Sequence, residues 1–538
     1  MMGDSETRDS ARSETIRRIE YIAGVILSLI ALVLSGIRAT HAGALWRDEC
    51  DSVVTATLPN FSELLRYFQF DSFPLPFHLA LRGYIAIAGN SDASLRLLGA
   101  LVGILLLLVG WWSARIARAG VPLVFLTLAA LNPTFVTWGT TIRGYGIGSV
   151  MIVFAFAATA NFLAHRTNGS AFLMYIAFIA AVQCLVSNTV LVFAICLAGL
   201  GVSFSRGDRK TAVVIMGALG AAALSFLPYV AVYFKMNWHV LLQTGSSTAA
   251  WWETIRNSLG AHNPATAIAW LALTLMAALP CAMRLTKGAL PPLASFALLA
   301  ALATIAGGCI FFKLLSYLPN QWYFLPFVCL LASALQLAGL SFDASAAVRT
   351  FRLLICFLGV AGMWWSNWST LTIRQSNVDL VANWLGSNVR AADLIVVNPW
   401  FFGVSFNRYY HGAAPWLTLP TLSDHRIHRY DLLQEKMSED DPLHDLKQAL
   451  ESTLRHGGRV YLVGCAHWLR EGERPIVLPP APRSQYGWDF LPYIIGWSQQ
   501  IAEYLQTYVH NGGELPQLGE HINPQEDIPL CLVEGWRD

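Results

Sequence analysis

A long series of apolar runs constrains the fold of this chain more than any other feature of its sequence. Between about residues 19 and 368, runs of roughly 17 to 23 apolar residues follow one another with few charges inside them. Each run is long enough to cross the hydrocarbon core of a bilayer as a helix. The composition is 55% hydrophobic and only 13% charged, whereas soluble domains carry about 25% charged residues. The sequence therefore predicts an α-helical polytopic membrane protein and excludes a disordered chain, collagen or a purely cytosolic enzyme.

The positive-inside rule indicates how many of these runs cross. The segment 74–89 is short and holds Arg82 at its centre, which is costly in lipid. If it lies along or dips into the outer surface, ten loop cations share the side of the basic N-terminal tail. We therefore expect about eleven crossings, with twelve or thirteen as the alternative. They are placed at about 19–37, 95–112, 121–138, 144–163, 171–186, 188–205, 211–234, 265–283, 290–312, 322–340 and 350–368.

This topology divides the chain into three regions. Residues 1–18 form a cytoplasmic tail, and 19–369 form a transmembrane domain with a large outer loop at 38–94. Residues 370–538, rich in charged and turn-forming residues, form an extracytoplasmic domain of ordinary size. We expect a multi-pass protein of the plasma or inner membrane, with its first apolar run retained as a helix.

The C-terminal region shows alternating helix and strand patterns, which predict a small α/β domain. Cys465 and Cys531 are the two cysteines of this region that can pair at an exported location. The predicted helices are 378–389, 442–456 and 501–509, and the predicted strands are 393–398, 459–464 and 530–533.

Several classes of function find no support in the sequence. A net charge of +2 gives no argument for nucleic-acid binding, and no GxGxxG or Walker A motif is present. The nine cysteines lack metal-ligand spacing. Isolated histidines in or near the outer loops receive no ligand role. They are His78, His239 and His262.

The most informative segment is Ala44-Leu-Trp-Arg-Asp-Glu-Cys-Asp51, just outside the first helix. Adjacent acids at a membrane exit have two interpretations. Asp48 or Asp51 could cap a helix by accepting backbone N–H bonds. Alternatively, a carboxylate here could act as a general base at the mouth of a membrane cavity.

The next segment, Asn60 to Phe70, has apolar residues at helical spacing. They are Phe61, Leu64, Leu65 and Phe68. This pattern predicts a helix in the outer interface, and the alternative is a helix packed on the C-terminal domain. Asp71-Ser-Phe-Pro-Leu-Pro76 then turns the chain back towards the membrane.

Two further outer segments carry cations and tyrosines. In Trp138-Gly-Thr-Thr-Ile-Arg-Gly-Tyr-Gly146, Arg143 and backbone amides could approach a phosphate, or Trp, Arg and Tyr could simply anchor the chain at headgroup depth. Lys313 and the run Tyr317 to Phe324 lie in the last outer loop, where Lys313 could equally snorkel from its helix end.

In order, these elements resemble the GT-C superfamily of membrane glycosyltransferases, of the protein O-mannosyltransferase and aminoarabinose-transferase type. The resemblance covers about residues 20–335. It rests on an Asp-Glu pair, an Asp-x-x-Pro-x-Pro turn, a Ser-Leu-Arg-Leu-Leu-Gly helix start, an Arg-x-Tyr connector and a late Tyr-x-x-Pro. These correspond to Asp48 and Glu49, Asp71, Pro74 and Pro76, residues 94–99, Arg143 and Tyr145, and Tyr323 and Pro326. The chain has Ser72-Phe73-Pro74 where such enzymes often have His-Pro-Pro, and Trp322-Tyr323 where they often have Arg-Tyr.

The resemblance implies transfer of a hexosyl or pentosyl group from a polyprenyl-monophosphate donor to a saccharide, lipid or protein acceptor at the outer face. It implies inversion at the anomeric carbon. Asp48 is then expected to be the base, and Glu49 either its partner or a group that orients the acceptor. The expected donor-phosphate contacts are Arg143, Tyr145, Lys313, Arg82, Asp71 and Tyr323.

Two other classes stay open on the sequence alone. A transporter or flippase of a lipid-linked saccharide would also use many helices, but transporters usually place their charges near the midplane. A non-catalytic assembly protein could use the C-terminal domain to bind a partner. No cofactor is expected, and a divalent ion on Asp48 and Glu49 is the less favoured alternative because no third ligand is evident.

Overall fold

The computed structural model describes residues 2–71, 73–116, 120–235, 238–242, 247–287, 289–315, 317–340 and 345–537. Helices dominate the first 371 residues, and a five-stranded sheet occupies the C-terminal part. The helices up to residue 258 are α1 (Met2–His41), α2 (Arg47–Thr57), α3 (Phe61–Tyr67), α4 (Leu75–Ala88), α5 (Asp92–Ile116), α6 (Leu123–Phe125), α7 (Gly144–His165), α8 (Asn168–Cys184), α9 (Asn188–Ser205), α10 (Arg209–Leu224), α11 (Val230–Tyr233), α12 (Trp238–Leu241) and α13 (Thr248–Ser258).

The remaining helices complete the bundle and then belong to the C-terminal domain. The bundle helices are α14 (Pro264–Leu285), α15 (Pro292–Leu314), α16 (Leu325–Leu340) and α17 (Ala346–Leu371). The domain helices are α18 (Val378–Asn388), α19 (Phe402–Tyr409), α20 (Tyr430–Met437), α21 (His444–Arg455) and α22 (Leu491–Tyr508).

Within the described residues, nine helices are long and apolar enough to cross a membrane. The chain is therefore an integral, multi-pass membrane protein. The nine spans correspond to nine of the eleven predicted crossings. They are Glu14–His41, Asp92–Ile116, Gly144–His165, Asn188–Ser205, Arg209–Val232, Pro264–Leu285, Pro292–Leu314, Gln321–Gly339 and Ala346–Leu371.

The two other predicted crossings take different forms. The crossing near 171–186 is the shorter helix α8. The crossing near 121–138 is a broken, almost wholly buried segment: α6, two π-helical turns at Leu126–Ala130 and Phe135–Gly139, and an interruption at Leu131 and Asn132, directly before Pro133. Proline lacks the N–H that a continuous helix needs. Asn132 supports the break, since its side chain accepts from the Thr134 amide at 2.8 Å and donates to the Ser258 carbonyl at 3.0 Å.

Helix α4 does not pass through the bundle. Asp71, before α4, lines a cavity that residues of the C-terminal domain also line, and Asp92, after α4, bonds to Arg408 of that domain. Both ends of α4 therefore lie at the end of the bundle that carries the domain. The opposite end holds Glu20, which pairs with Arg349 at 2.9 Å and also with Arg352.

The C-terminal sheet has strand order β2-β1-β3-β5-β4. Strand β1 is parallel to β2 and β3, whereas β5 is antiparallel to both β3 and β4. This mixed α/β sheet contains all three predicted strands, and α22 begins ten residues earlier than the predicted helix at 501. The strands are β1 (Leu394–Val397), β2 (Trp416–Thr418), β3 (Arg459–Val463), β4 (Val509–Glu514) and β5 (Leu530–Trp536).

Alternation along the strands separates two apolar cores, one on each face of the sheet. Val396 and Leu462 pack with α21 and α22, whereas Ile395 and Val463 pack with α18 and α19. Cys465, just after β3, and Cys531 in β5 form a disulfide. The sequence allowed this pairing but did not predict it.

The domain sits on the bundle through polar contacts to the first loop and to α5. Arg408 and Tyr409 of α19 bond to the two oxygens of Asp92 at 2.9 and 2.7 Å, and the Tyr409 hydroxyl also accepts from the Leu45 amide at 2.8 Å. Burial raises the pKa of Tyr409, so this hydroxyl stays protonated at neutral pH. The contacts hold the carboxyl end of β1 over the start of α2.

Candidate active site

Helix α2 positions the two adjacent acids in different environments. Consecutive helical residues are about 100° apart, so Asp48 and Glu49 cannot share one direction. Glu49 is fully buried and accepts from Arg96 Nη1 at 2.7 Å, the Ile142 amide at 2.8 Å and the Trp46 amide at 3.3 Å. Asp48 is half-buried and lines a cavity. Glu49 therefore ties the first loop to α5 and to the connector before α7, while Asp48 is the carboxylate that can meet a ligand.

Arg143 lies at the N-cap of α7 and reaches Asp48. Its Nη1 donates to the Asp48 backbone carbonyl at 3.0 Å, and its Nη2 lies 3.6 Å from the Asp48 carboxylate. The guanidinium stacks on Phe73, with its carbon 4.5 Å from the ring centroid. Burial opposes the charge, but Asp48 and Asp71 outweigh it and raise the pKa of Arg143. The group is a fixed cation beside a half-buried carboxylate.

Asp71 closes the other side of this cation. Its Oδ2 lies 2.9 Å from His78 Nε2, and its Oδ1 accepts from the Phe73 amide at 3.1 Å. Burial alone would raise the pKa of Asp71, but His78 and Arg143 more than offset it and lower the pKa. His78, which received no ligand role from the sequence, is thus the buried partner of a carboxylate.

Aromatic side chains bring the last outer loop to the same place. Trp46, Trp138 and Trp322 form one cluster, with ring centroids 4.2 to 5.6 Å apart. Tyr323 follows Trp322, lines the cavity and packs on Tyr145 at 5.3 Å between centroids. These contacts join three sequence motifs that are far apart in the chain.

The C-terminal domain supplies the remaining wall of the cavity. Trp400 and Phe401 come shortly after β1, and His428 and Tyr430 come from the segment after β2. Ligand sites of open α/β sheets commonly lie outside the carboxyl ends of parallel strands. His428 faces α2: its Nδ1 is 3.5 Å from Asp51 Oδ2, and its Nε2 is 3.9 Å from Asp48 Oδ1.

The cavity between these walls has a volume of about 210 Å³. Three buried N–H groups of its lining residues have no hydrogen-bond partner within the described ranges: Trp46 Nε1, Arg143 Nε and Trp400 Nε1. Buried polar groups are nearly always hydrogen-bonded in folded proteins. Unpaired donors around a cavity with a cation therefore favour an oxygen-rich, anionic ligand.

A second cavity of about 500 Å³ lies beside the first and is mainly apolar. Phe324 lines it and directly follows Tyr323 of the polar cavity. Other lining residues belong to α13, α15 and α16, among them Ile255, Cys309, Phe312, Phe327 and Leu331. Lys313 lines this apolar cavity and is not among the residues that line the polar one.

Two of the predicted site residues, Arg82 and Glu49, are held by contacts within the protein. Arg82 donates from Nε to the Ala56 carbonyl at 2.6 Å, and from Nη2 to the Leu58 carbonyl, at the end of α2. Glu49 is held by the three bonds given above. Both carry charges that backbone carbonyls or a buried arginine already satisfy, so their contacts favour a positioning role.

The glycines around Arg143 allow close packing. A Cβ on Gly146 would lie 1.8 Å from the Gly139 carbonyl oxygen, and one on Gly99 would lie 1.9 Å from the Thr140 carbonyl oxygen. Only glycine permits these approaches. The connector that carries Arg143 is therefore pressed against α5 and α7.

Helix α3 combines the two alternatives drawn from its sequence. Phe61 and Leu65 are 52% and 44% exposed, as expected of an interfacial helix, whereas Leu64 and Phe68 are buried. The opposite side meets the C-terminal domain, where Arg426 Nη2 donates to the Tyr67 hydroxyl at 2.6 Å.

Sequence reasoning assigned no role to Arg47, Trp400 and His428, which line the cavity, and assigned the cavity residue Asp51 a possible role as a helix cap. Arg47 stacks on Phe401 at 4.8 Å and pairs with Glu526 at 3.4 Å. One sequence feature could have identified this wall of the cavity: Trp400 lies just beyond the end of a predicted buried strand. Across the described ranges, no group of three His, Cys, Asp or Glu residues is arranged to hold a metal ion.

Comparisons with known proteins give a likeness at the level of solved structures. No protein-family model matches the chain, and no curated protein matches it. Among solved structures, the chain is similar to the crystal structure of ArnT from Cupriavidus metallidurans bound to undecaprenyl phosphate. The two share 13% identity and a TM-score of 0.49, over 82% of this chain and 92% of that chain. A likeness at this level carries no argument about function, which must come from the site itself.

Proposed function

We propose that this protein is a GT-C-type membrane glycosyltransferase that transfers a sugar from a polyprenyl-monophosphate donor to a saccharide, lipid or protein acceptor. The observation that carries the proposal is the pairing of Asp48 with Arg143 in a polar cavity next to an apolar one. A base and a phosphate-binding cation are the two groups that such a transfer needs. The apolar cavity supports a prenyl chain as the part of the donor that enters it.

Asp48 is the proposed general base. The acceptor oxygen attacks the anomeric carbon and its proton passes to the Asp48 carboxylate. The bond from the anomeric carbon to the phosphate oxygen breaks, and its electron pair stays on the lipid phosphate. A single displacement of this kind inverts the anomeric carbon. The transition state has oxocarbenium character, which the nearby carboxylate also stabilises.

Arg143 is the proposed anchor of the departing phosphate. A phosphate accepts charge-assisted hydrogen bonds from a guanidinium, and the unpaired Nε–H of Arg143 is suited to give one. Tyr323 lines the polar cavity, is packed by Tyr145 and directly precedes Phe324 of the apolar cavity, so it is proposed to contact the phosphate from the lipid side. Asp71 with His78 holds Arg143, and Glu49 holds α2. Lys313 is proposed to meet the donor at the apolar cavity, and Arg82 to secure the end of α2.

The C-terminal domain and the cavities are proposed to be extracytoplasmic, with the N-terminus cytoplasmic. Cations in the loops at the opposite end of the bundle, such as Arg166, Arg206 and Arg349, support this orientation. A reporter that is active only outside the cytoplasm is expected to be inactive when fused after Gly169. An active fusion at that position would contradict the orientation.

The decisive test is Asp48→Asn in a transfer assay with a lipid-linked sugar donor. We expect loss of turnover by at least 100-fold, because amides do not act as general bases at neutral pH. The matched control is Asp527→Asn, an exposed acid of the C-terminal domain, with activity expected within two-fold of the parent. Turnover of correctly inserted Asp48→Asn within a few-fold of wild type would refute the proposed base. Mass spectrometry of co-purified lipid tests the donor class independently.

A further inference from the structure

We propose that Asp48 passes the acceptor proton on to His428, and that Asp51 holds His428 in position for this transfer. Asp48, His428 and Asp51 then act together as the base. The C-terminal domain then contributes chemistry as well as a wall of the cavity. This inference rests on the proposed function, because it concerns the fate of the acceptor proton in that reaction.

Asp51 fixes the position of the histidine. Its Oδ1 accepts from the His428 backbone amide at 3.3 Å, while its Oδ2 lies 3.5 Å from His428 Nδ1. With the Nδ1 proton directed to Asp51, the Nε2 lone pair faces Asp48, 3.9 Å away. A carboxylate that orients the far nitrogen of a histidine is the arrangement by which proteins select one tautomer.

The histidine is enclosed, which limits competing water. His428 is 7% exposed, with Trp400 edge-on at 6.0 Å and Tyr430 nearly parallel at 6.0 Å between centroids. The titratable and charged groups around it are Asp48 and Asp51 of α2, Arg47 on the same helix, Arg143 and Tyr323 from the bundle, and Tyr430. Two carboxylates lie nearest the ring, and they face different nitrogens.

Regeneration of the base explains why a relay is useful. Once Asp48 holds the acceptor proton it is neutral and cannot accept another, while Arg143, 3.6 Å away, is paired with the phosphate monoester that is being released. Transfer of the proton from Asp48 to His428 Nε2 regenerates the carboxylate. The resulting imidazolium lies between Asp48 and Asp51, so no charge is left without a partner. The proton leaves to solvent when product departs.

Proton transfer also requires the distance between Asp48 and His428 to shorten. At 3.9 Å, Asp48 and His428 are beyond hydrogen-bond distance, and catalytic hydrogen bonds commonly shorten only in the substrate complex. An acceptor hydroxyl in the cavity beside Asp48 would draw the carboxylate and the domain together. His428 can therefore accept the proton only while the C-terminal domain is packed against α2.

The test compares His428→Gln and Asp51→Asn with His411→Gln, a variant at an exposed histidine of the same domain. We expect kcat to fall 10- to 100-fold in His428→Gln, with KM for the lipid-linked donor within three-fold of wild type. Because only neutral His428 accepts a proton, the acid limb of the kcat profile should move to lower pH. Asp51→Asn should shift the limb in the same direction with a smaller loss, and His411→Gln should match wild type.

The outcomes separate this inference from the proposed function. If His428→Gln keeps wild-type kcat, or loses activity with an unchanged pH profile, His428 is structural and the inference fails. Loss of activity in Asp48→Asn under the same conditions would leave the proposed function standing. Thermal midpoints of the variants identify misfolding, and Asp51→Asn provides the pH-profile readout if His428→Gln does not fold.

Discussion

Arg143 holds Asp48 at two places, with Nη1 on the backbone carbonyl at 3.0 Å and Nη2 facing the carboxylate at 3.6 Å. The backbone bond fixes where the first turn of α2 sits, and the second contact leaves one face of each charged group toward the cavity. The proposed base and the proposed phosphate anchor are therefore positioned as one unit.

Two substitutions of Arg143 should distinguish the contribution of its charge to turnover from the contribution of its planar donor geometry. Arg143→Gln is expected to lower turnover about 100- to 1,000-fold, the range for loss of a strong electrostatic stabiliser. Arg143→Lys should recover part of that loss, since lysine keeps the charge but not the planar set of donors. The measurement is kcat with a polyprenyl-phosphate sugar. Arg66→Gln, at an exposed arginine of α3, is the control, and equal activity of Arg143→Gln and Arg66→Gln would contradict the phosphate role.

Filling the apolar cavity should affect donor binding. Cys309 lines this cavity and has a free, exposed thiol. Cys309→Trp is expected to raise KM for a long-chain donor at least ten-fold, while a short-chain analogue is used nearly as in wild type. Cys309→Ala should leave both constants within two-fold. Equal effects of Cys309→Trp on long and short donors would place the prenyl chain elsewhere.

Breaking the Glu49–Arg96 pair should cost stability. Both side chains are buried, and removing one partner of a buried pair typically costs about 3 to 5 kcal/mol. We expect Glu49→Gln and Arg96→Met to lower the thermal midpoint of purified protein by several degrees. The doubly substituted Glu49→Gln, Arg96→Met protein should lose less than the sum of the two, because no uncompensated charge remains. Additive losses would show that the pair is not coupled.

Stability should depend on His425 between pH 6.5 and 4. Burial lowers the pKa of His425 from 6.5 to about 4, so in this window the unfolded chain binds a proton that the folded chain does not. Stability is then lost as pH falls through the window, by about 2 kcal/mol for a half-buried group. Thermal midpoints at pH 7.5 and 4.5 should differ less in His425→Gln than in wild type. An identical pH dependence in the two proteins would exclude this contribution.

The sequence predicted the helical bundle and the sheet because their signals are local. Eighteen or more apolar residues indicate a span, and a short apolar run ending in Asn398 indicates a strand. Local features of the sequence selected Asp48 and Arg143, and the family resemblance added Asp71 and Tyr323; all four line one cavity. Their catalytic roles stay predictions.

The other features of the site depend on contacts between residues that are far apart in the sequence. His428 meets Asp51 over a separation of 377 residues, and Arg96 meets Glu49 over 47. No periodicity encodes such pairs. The contacts of Glu49 and Arg82 are equally invisible in the sequence, because only the fold shows that a buried arginine pairs with Glu49 and that backbone carbonyls accept from Arg82.

The pairing of Arg47 with Glu526 has a consequence for biosynthesis. The buried Glu526 accepts from the Arg47 backbone amide at 2.8 Å and from Ser376 at 2.9 Å, and it lies 479 residues after Arg47. During translation, the start of α2 emerges 479 residues before this carboxylate is made. A ribosome-bound nascent chain can therefore insert its helices before Glu526 is present to hold the start of α2.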